Sequence, residues 1–185
     1  MATKVYTKKG DRGQTSLFSG RRVEKFDSRV AAVGDLDEVS AAIGMARLVN
    51  ENLSDSLYAI QQTLYTISAI VSAEDRQVAG LSLQEVEVQK LEDSIDRVSA
   101  SLPPLKDFII PGQAEPSCRL HLARAVARRA ERNIAALRDP PPSAVVLAYL
   151  NRLSDVLFVF ARLADHDRGM IELPLKYQKI QKASE

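Results

Sequence analysis

Cysteine, histidine and net charge are all scarce in this chain. Among its 185 residues there is one cysteine, Cys118, and there are two histidines, His121 and His166; 25 Lys and Arg face 24 Asp and Glu, a formal net charge of +1. A single thiol excludes an internal disulfide and a zinc site built on cysteines, and a lone, half-buried thiol of this kind is expected to be inert. The balanced charge argues against nucleic acid as the main partner, because a phosphate-backbone binder is basic over much of its surface. The opening MATKVYTKKGDRG lacks the apolar run of a signal peptide, and no apolar stretch reads as a bilayer span, so no membrane partner and a cytoplasmic location are expected. The length suits one domain with a real core, residues 1–185, divided into an arm (1–26), a helical body (27–170) and a tail (171–185).

What the chain does have is helical periodicity. Leu57, Ile60, Leu64, Ile67 and Val71 recur at alternating three and four, as do Val88, Leu91, Ile95, Val98 and Leu102, which predicts two long amphipathic helices. Ser82 and Glu85 read as a capping box for the second, and Pro103 and Pro104 stop it. A further helix over 144–167 presents Leu150, Leu153, Val156, Leu157, Phe160 and Ala164 to a core, with Asn151, Asp155 and Arg162 on its other side. Over 28–50 the wheel is apolar twice: Val30, Val33, Ala41, Gly44 and Leu48 form one stripe, and Leu36, Val39, Ile43 and Ala46 form another opposite it. A helix apolar on two sides is buried on two sides, here in the bundle and against another subunit. Asp37 falls inside the first stripe, where an ionised carboxylate is costly without a cation.

The stretch RAVARRAER, residues 124–132, lies in a helix predicted over 116–138. Arg124, Arg128, Arg129 and Arg132 fan over one side, and Leu122, Val126, Ala130, Ile134 and Leu137 gather on the other. Glu131 is placed to fix one of these guanidinium forks. Such a face suits either an anionic ligand or a solvated, salt-bridged surface. The arm carries Gly10, Gly13 and Gly20 among Lys8, Thr15, Ser16 and Lys25, and closely spaced glycines let backbone N–H groups approach an anion. The order GxxxxGK[ST] is absent, so it is no Walker A loop, and nothing helical precedes Gly10 to frame a KH-type GxxG. Five helices with almost no strand predict an all-α bundle with an extended, glycine-containing arm.

The arm TKKGDRGQTSLFSGRRVEK, the helix start GDLDEVSAAIG, the loop FIIPG, the core RAVARRAER and the segment YLNRLSDVLFVFAR together resemble, in order, the PduO-type ATP:cob(I)alamin adenosyltransferases. The resemblance implies a homotrimer of five-helix bundles with an active site at each subunit interface. It implies transfer of the 5′-deoxyadenosyl group of ATP to the cobalt of a reduced corrinoid, with release of triphosphate and with Mg²⁺ accompanying the nucleotide. Carried onto this sequence, it gives ATP contacts to Thr7, Lys8, Lys9, Gly10, Thr15, Ser16 and Lys25 of the arm, to Arg128, Arg129, Glu131 and Arg132, and to Asn151. It pairs Asp37 with Arg124 across the interface and sets Phe108 beneath the corrin ring, so that Asp37, Arg124, Arg128 and Phe108 serve catalysis. A reductase and a cobalamin-dependent mutase are the protein partners it suggests. Gln113 stands where the family often has a second glycine, and Ser40 replaces a frequent Asn.

The implied chemistry needs little acid or base, and neither histidine falls in a motif, so both are expected to be structural. The alternative from another class is a non-catalytic helical module that binds RNA or polyphosphate through the Arg fan and the arm.

Overall fold

The structure is a computed structural model and describes residues 6–74 and 80–175. Among the described residues, five α-helices carry the fold: α1 (Ser28–Arg47), α2 (Ser54–Ala73), α3 (Glu85–Ser101), α4 (Glu115–Ala135) and α5 (Ala144–His166). Each boundary has a local cause. The Asp27 carboxylate accepts the Arg29 N–H at 2.8 Å and starts α1. Pro116 in the first turn of α4 needs no hydrogen-bond partner there. The Pro103–Pro104 pair follows α3 directly and ends it. The expected capping box is not formed: α3 begins at Glu85 with Gln84 as its cap residue, and Ser82, two residues too early, accepts the Gln84 amide at 2.6 Å instead.

Packing runs α2 on α1, α1 on α4, α4 on α5 and α5 on α3. The α4 face of Leu120, Ala123, Ala127, Ala130 and Ile134 is fully buried between α1 and α5. The small residues let the three helices approach closely. Val126, Ala130, Ile134 and Leu137 of the expected α4 stripe are buried, but Leu122 at its edge is exposed, because the buried arc extends the other way around the helix to take in Leu120 and His121. By length and composition Ala144–His166 could cross a membrane, contrary to the reading that no stretch is long enough. Here α5 is the central strut instead, with Tyr149, Leu150, Leu153, Val156, Leu157 and Phe160 all buried in the core.

The arm is more structured than an extended segment. Gln14–Ser16 (β1) and Arg22–Glu24 (β2) pair antiparallel, Thr15 opposite Val23. Gly20, at φ +87°, supplies the left-handed residue of the connecting turn. Val23 and Leu17 are buried, and the Phe18 N–H donates to Ser72 Oγ at 2.9 Å. Arg21 pairs with Glu74. The hairpin is thereby fastened to the end of α2.

Among the described residues, only one of the two apolar stripes of α1 is fully covered. Leu36, Val39, Ile43 and Ala46 are fully buried, while Val30, Val33 and Gly44 are half-buried and Leu48 is 77% exposed. A groove of about 420 Å³ runs along the uncovered stripe, lined by Val30, Val33, Asp37, Leu64 and Tyr65 among others.

Candidate functional site

The arginines of α4 are not equivalent. Arg129 Nε donates to Asp35 at 2.9 Å and the same guanidinium reaches Glu38, so the acids of α1 occupy this fork and hold its pKa above the ordinary value. Arg128 and Arg132 are exposed, and among the described residues their side chains have no hydrogen-bond or ion-pair partner. Arg124 is half-buried with its Nε–H buried and unpaired among the described residues; burial, and then the charge of Arg128, lower its pKa. An unpaired buried donor costs about 1–3 kcal/mol. Glu131 does not hold an arginine, as its place on the wheel had suggested; it accepts the Asn151 amide at 3.1 Å, and Asn151 Oδ1 accepts from Arg152 at 2.7 Å. Asn151 of α5 thus joins the edge of the Arg face.

Asp37 and Arg124 are not brought together within one chain. Asp35 and Glu38 point along the α1–α4 seam toward Arg129, and Asn133 also donates to Asp35. Asp37 lines the groove on the α2 side, exposed, with no partner among the described residues.

In the arm, Lys25 crosses Gly10 so closely that a Cβ there would stand 3.4 Å from Lys25 Nζ, and the Lys25 N–H donates to the Gly13 carbonyl at 2.8 Å. Arg22 ties the hairpin to its approach, donating to the Lys9 carbonyl at 2.9 Å and to Ser16 Oγ at 3.5 Å. Thr7 Oγ1 accepts the Lys9 N–H at 3.4 Å, and Lys8 adopts φ +60°. Thr7, Lys8, Lys9, Ser16 and Lys25 are exposed and Thr15 is half-buried, so one short hairpin gathers cations and hydroxyls around a glycine. That donor set fits a polyanion.

Phe108 is 75% exposed and, with Leu105, Lys106 and Asp107, lines an open hollow of about 290 Å³. Its loop is held from behind by residues the sequence motifs did not single out. The Ile110 N–H donates to the Leu173 carbonyl at 2.8 Å, and the Leu175 N–H donates to the Phe108 carbonyl at 2.6 Å. Buried Asp165 accepts from the backbone N–H of Ala114 at 2.9 Å and of Gln113 at 3.4 Å, and from Ser117 Oγ at 2.7 Å. A Cβ at Gly112 would collide with Cys118, which is exposed rather than half-buried as expected. Gln113, the departure from the family pattern, therefore leaves the tight Gly112 turn intact. Arg29 also went unread in the sequence: it is buried and donates to the carbonyls of Val71, Asp139 and Pro140. Its signal was a charged residue one turn before Val33 and Leu36 at the head of an apolar helix.

His121 is buried with neither ring nitrogen bonded among the described residues, and His166 is exposed beside Asp167. His121 lies near enough to Arg124 to feel its charge, at the buried edge of the Arg face.

The cobalamin adenosyltransferase family model matches residues 5–164. The corrinoid adenosyltransferase PduO of Salmonella typhimurium is 42% identical over 168 residues, 88% of this chain and 50% of that protein. This chain thus spans about half the length of that relative. The corrinoid adenosyltransferase of Mycobacterium bovis is 39% identical over 181 residues, 93% of this chain and 94% of its own length. Among solved structures, a variant PduO-type ATP:corrinoid adenosyltransferase from Lactobacillus reuteri, complexed with cobalamin and ATP, superposes with a TM-score of 0.89 at 32% identity, covering 94% of this chain and all of that one.

Proposed function

The chain belongs to the cobalamin adenosyltransferase family, and on that premise we propose that it transfers the 5′-deoxyadenosyl group of ATP to the cobalt of cob(I)alamin, forming adenosylcobalamin and triphosphate. One observation carries the reading. The acids of α1 occupy Arg129, while Arg128 and Arg132 stand exposed and, among the described residues, unpaired beside the Glu131–Asn151 pair. A merely solvated face would neutralise its cations locally; this one keeps two forks for an incoming anion. The alternative of a non-catalytic RNA- or polyphosphate-binding module is not favoured by a family in which solved structures hold ATP and cobalamin together.

In the reaction, the electron pair of Co(I) attacks C5′ of ATP in line, the Co–C bond forms, and the C5′–O bond breaks with its pair leaving on triphosphate. The chain's task is to position C5′ and to stabilise charge on the leaving group. We assign that charge to Lys8, Lys25, Arg128 and Arg132, with Thr7, Lys9, Gly10, Thr15 and Ser16 around the phosphates and Arg129, Glu131 and Asn151 shaping the nucleotide's other side. Mg²⁺ would accompany ATP and share with these cations the neutralisation of the phosphates' charge. The arm's hydroxyls and ammonium groups fit an anion that brings its own metal.

The active unit we infer is a homotrimer. Among the described residues Arg124 has an unpaired buried donor and Asp37, in the groove along the uncovered stripe of α1, an unpaired carboxylate, which favours a pair formed between neighbouring subunits. Phe108 would lie under the corrin, excluding a lower axial ligand so that Co(II) is more easily reduced. A reductase to supply that electron and a cobalamin-dependent mutase to receive the product are the partners this chemistry calls for.

The test is anaerobic incubation with ATP, Mg²⁺ and chemically reduced cobalamin, following the cobalt(I) absorbance. Conversion to the alkylated spectrum with one triphosphate released per cobalt is expected; no conversion at any ATP concentration would remove the reading.

A further inference from the structure

We propose that the last turn of α5 is the positioning device for Phe108, with Asp165 fixing the far end of its loop and the Arg162–Glu172 pair fixing the strand that backs it. The inference rests on the role given to Phe108 above.

A phenyl ring that is 75% exposed has little packing of its own to hold it. A ring meant to exclude a ligand must nevertheless stay within a fraction of an ångström, so its backbone must be fixed. Two anchors do this. Asp165, 4% exposed, has no cationic hydrogen-bond partner among the described residues; its carboxylate accepts from the N–H groups of Gln113 and Ala114 and the hydroxyl of Ser117. Ala114, the residue that caps α4, offers no side-chain cap of its own, so Asp165 performs that task from another helix. The loop's exit is therefore joined to α5 and to the start of α4, the Arg helix.

The second anchor is one turn earlier. Arg162, 6% exposed, bonds the Glu172 carboxylate and donates to the Pro103 carbonyl at 2.7 Å. Glu172 leads straight into Leu173–Leu175, whose backbone bonds flank Phe108 and Ile110, with Ile109 bridged to Pro174. Arg162 thus grips the loop's entrance at Pro103 and its backing strand with a single guanidinium. Among the described residues, neither anchor bonds to the arm or to the exposed forks of Arg128 and Arg132.

The test uses the full-length protein and compares two routes to product, one starting from Co(II) with a mild reductant and one from Co(I) made beforehand. Glu172→Gln and Asp165→Asn are measured beside Phe108→Ala, with ATP affinity, helical circular dichroism and the electron paramagnetic resonance spectrum of bound Co(II) recorded for each. The expected result is a loss of tenfold or more from Co(II), at most about threefold from Co(I), unchanged ATP affinity, and a spectrum shifted toward five-coordinate Co(II). Glu172 is at the surface edge of its pair, so its variant decides the matter if Asp165→Asn does not fold. A split in Phe108→Ala with equal losses by both routes in Glu172→Gln would overturn the positioning device alone. No split in Phe108→Ala itself would overturn the role of the ring, and the device with it.

Discussion

Asp35 accepts the Arg129 Nε–H at 2.9 Å across the α1–α4 seam, whereas Asp37, two residues on, turns to the opposite seam and meets no cation among the described residues. Two carboxylates close in sequence thus stand differently, one stitching the bundle and one available for the intersubunit pair proposed above.

Asp37→Asn should therefore weaken assembly and activity together while the isolated bundle keeps its helicity. The interaction lost is about 3 kcal/mol if the pair is buried between subunits. Sedimentation over a range of protein concentrations, alongside turnover, tests this. A fully active trimer at low concentration would show that Asp37 holds nothing across an interface.

Lys8→Ala should raise the KM for ATP by tenfold or more, the scale of one charge-assisted contact to phosphate. Folding should be unaffected, because Lys8 is exposed and the hairpin is fastened elsewhere, by Phe18, Arg21 and Glu74. Loss of helical circular dichroism in this variant would instead make Lys8 a structural residue.

Arg29→Met should destabilise the fold of the single chain far more than either Asp37→Asn or Lys8→Ala. It would leave three carbonyls, the buried one of Val71 and the partly buried ones of Asp139 and Pro140, without their donor. A loss of about 3 kcal/mol is expected from the orphaned acceptors, read as a lower urea midpoint with an unchanged slope. A midpoint within error of the parent would mean that water replaces the guanidinium freely.

The sequence made the helices legible because their periodicity is enforced by one contiguous core. Leu57, Ile60, Leu64, Ile67 and Val71 are each at most 4% exposed, as the three-four spacing requires. The Arg fan was legible as a set, but its division was not: that Arg129 is occupied, while Arg128 and Arg132 have no partner among the described residues, depends on Asp35 and Glu38 lying across a seam some ninety residues away in sequence. Asp165 was invisible for a similar reason. A carboxylate near a helix end reads as solvent-facing until the fold delivers the Gln113, Ala114 and Ser117 donors to it. Of the stripe expected on α4, Val126, Ala130, Ile134 and Leu137 are buried and Leu122 is not, because the covered arc stops short of that edge and widens on the other side, where it takes in Leu120 and His121.

His121 gives the molecule a defined acid limit. Its ring packs edge-on to Phe158, centroids 6.0 Å apart, with both nitrogens buried and, among the described residues, unbonded. Burial first, and then the charge of Arg124, push its pKa down from 6.5 to about 4, with Asp165 pulling the other way. The folded protein therefore keeps His121 neutral where the unfolded chain would protonate it. The folded state binds fewer protons between pH 6.5 and 4, so stability is whole above 6.5 and is lost as pH falls through that window, by up to about 3 kcal/mol. His121→Leu removes the titration and keeps an apolar side chain in the buried position. Urea midpoints measured from about pH 7.5 to about pH 4.5 should fall more steeply for the parent than for the variant, the carboxylates being common to both. Parallel profiles would show that His121 is protonated in the folded protein and that its burial is not what limits acid stability.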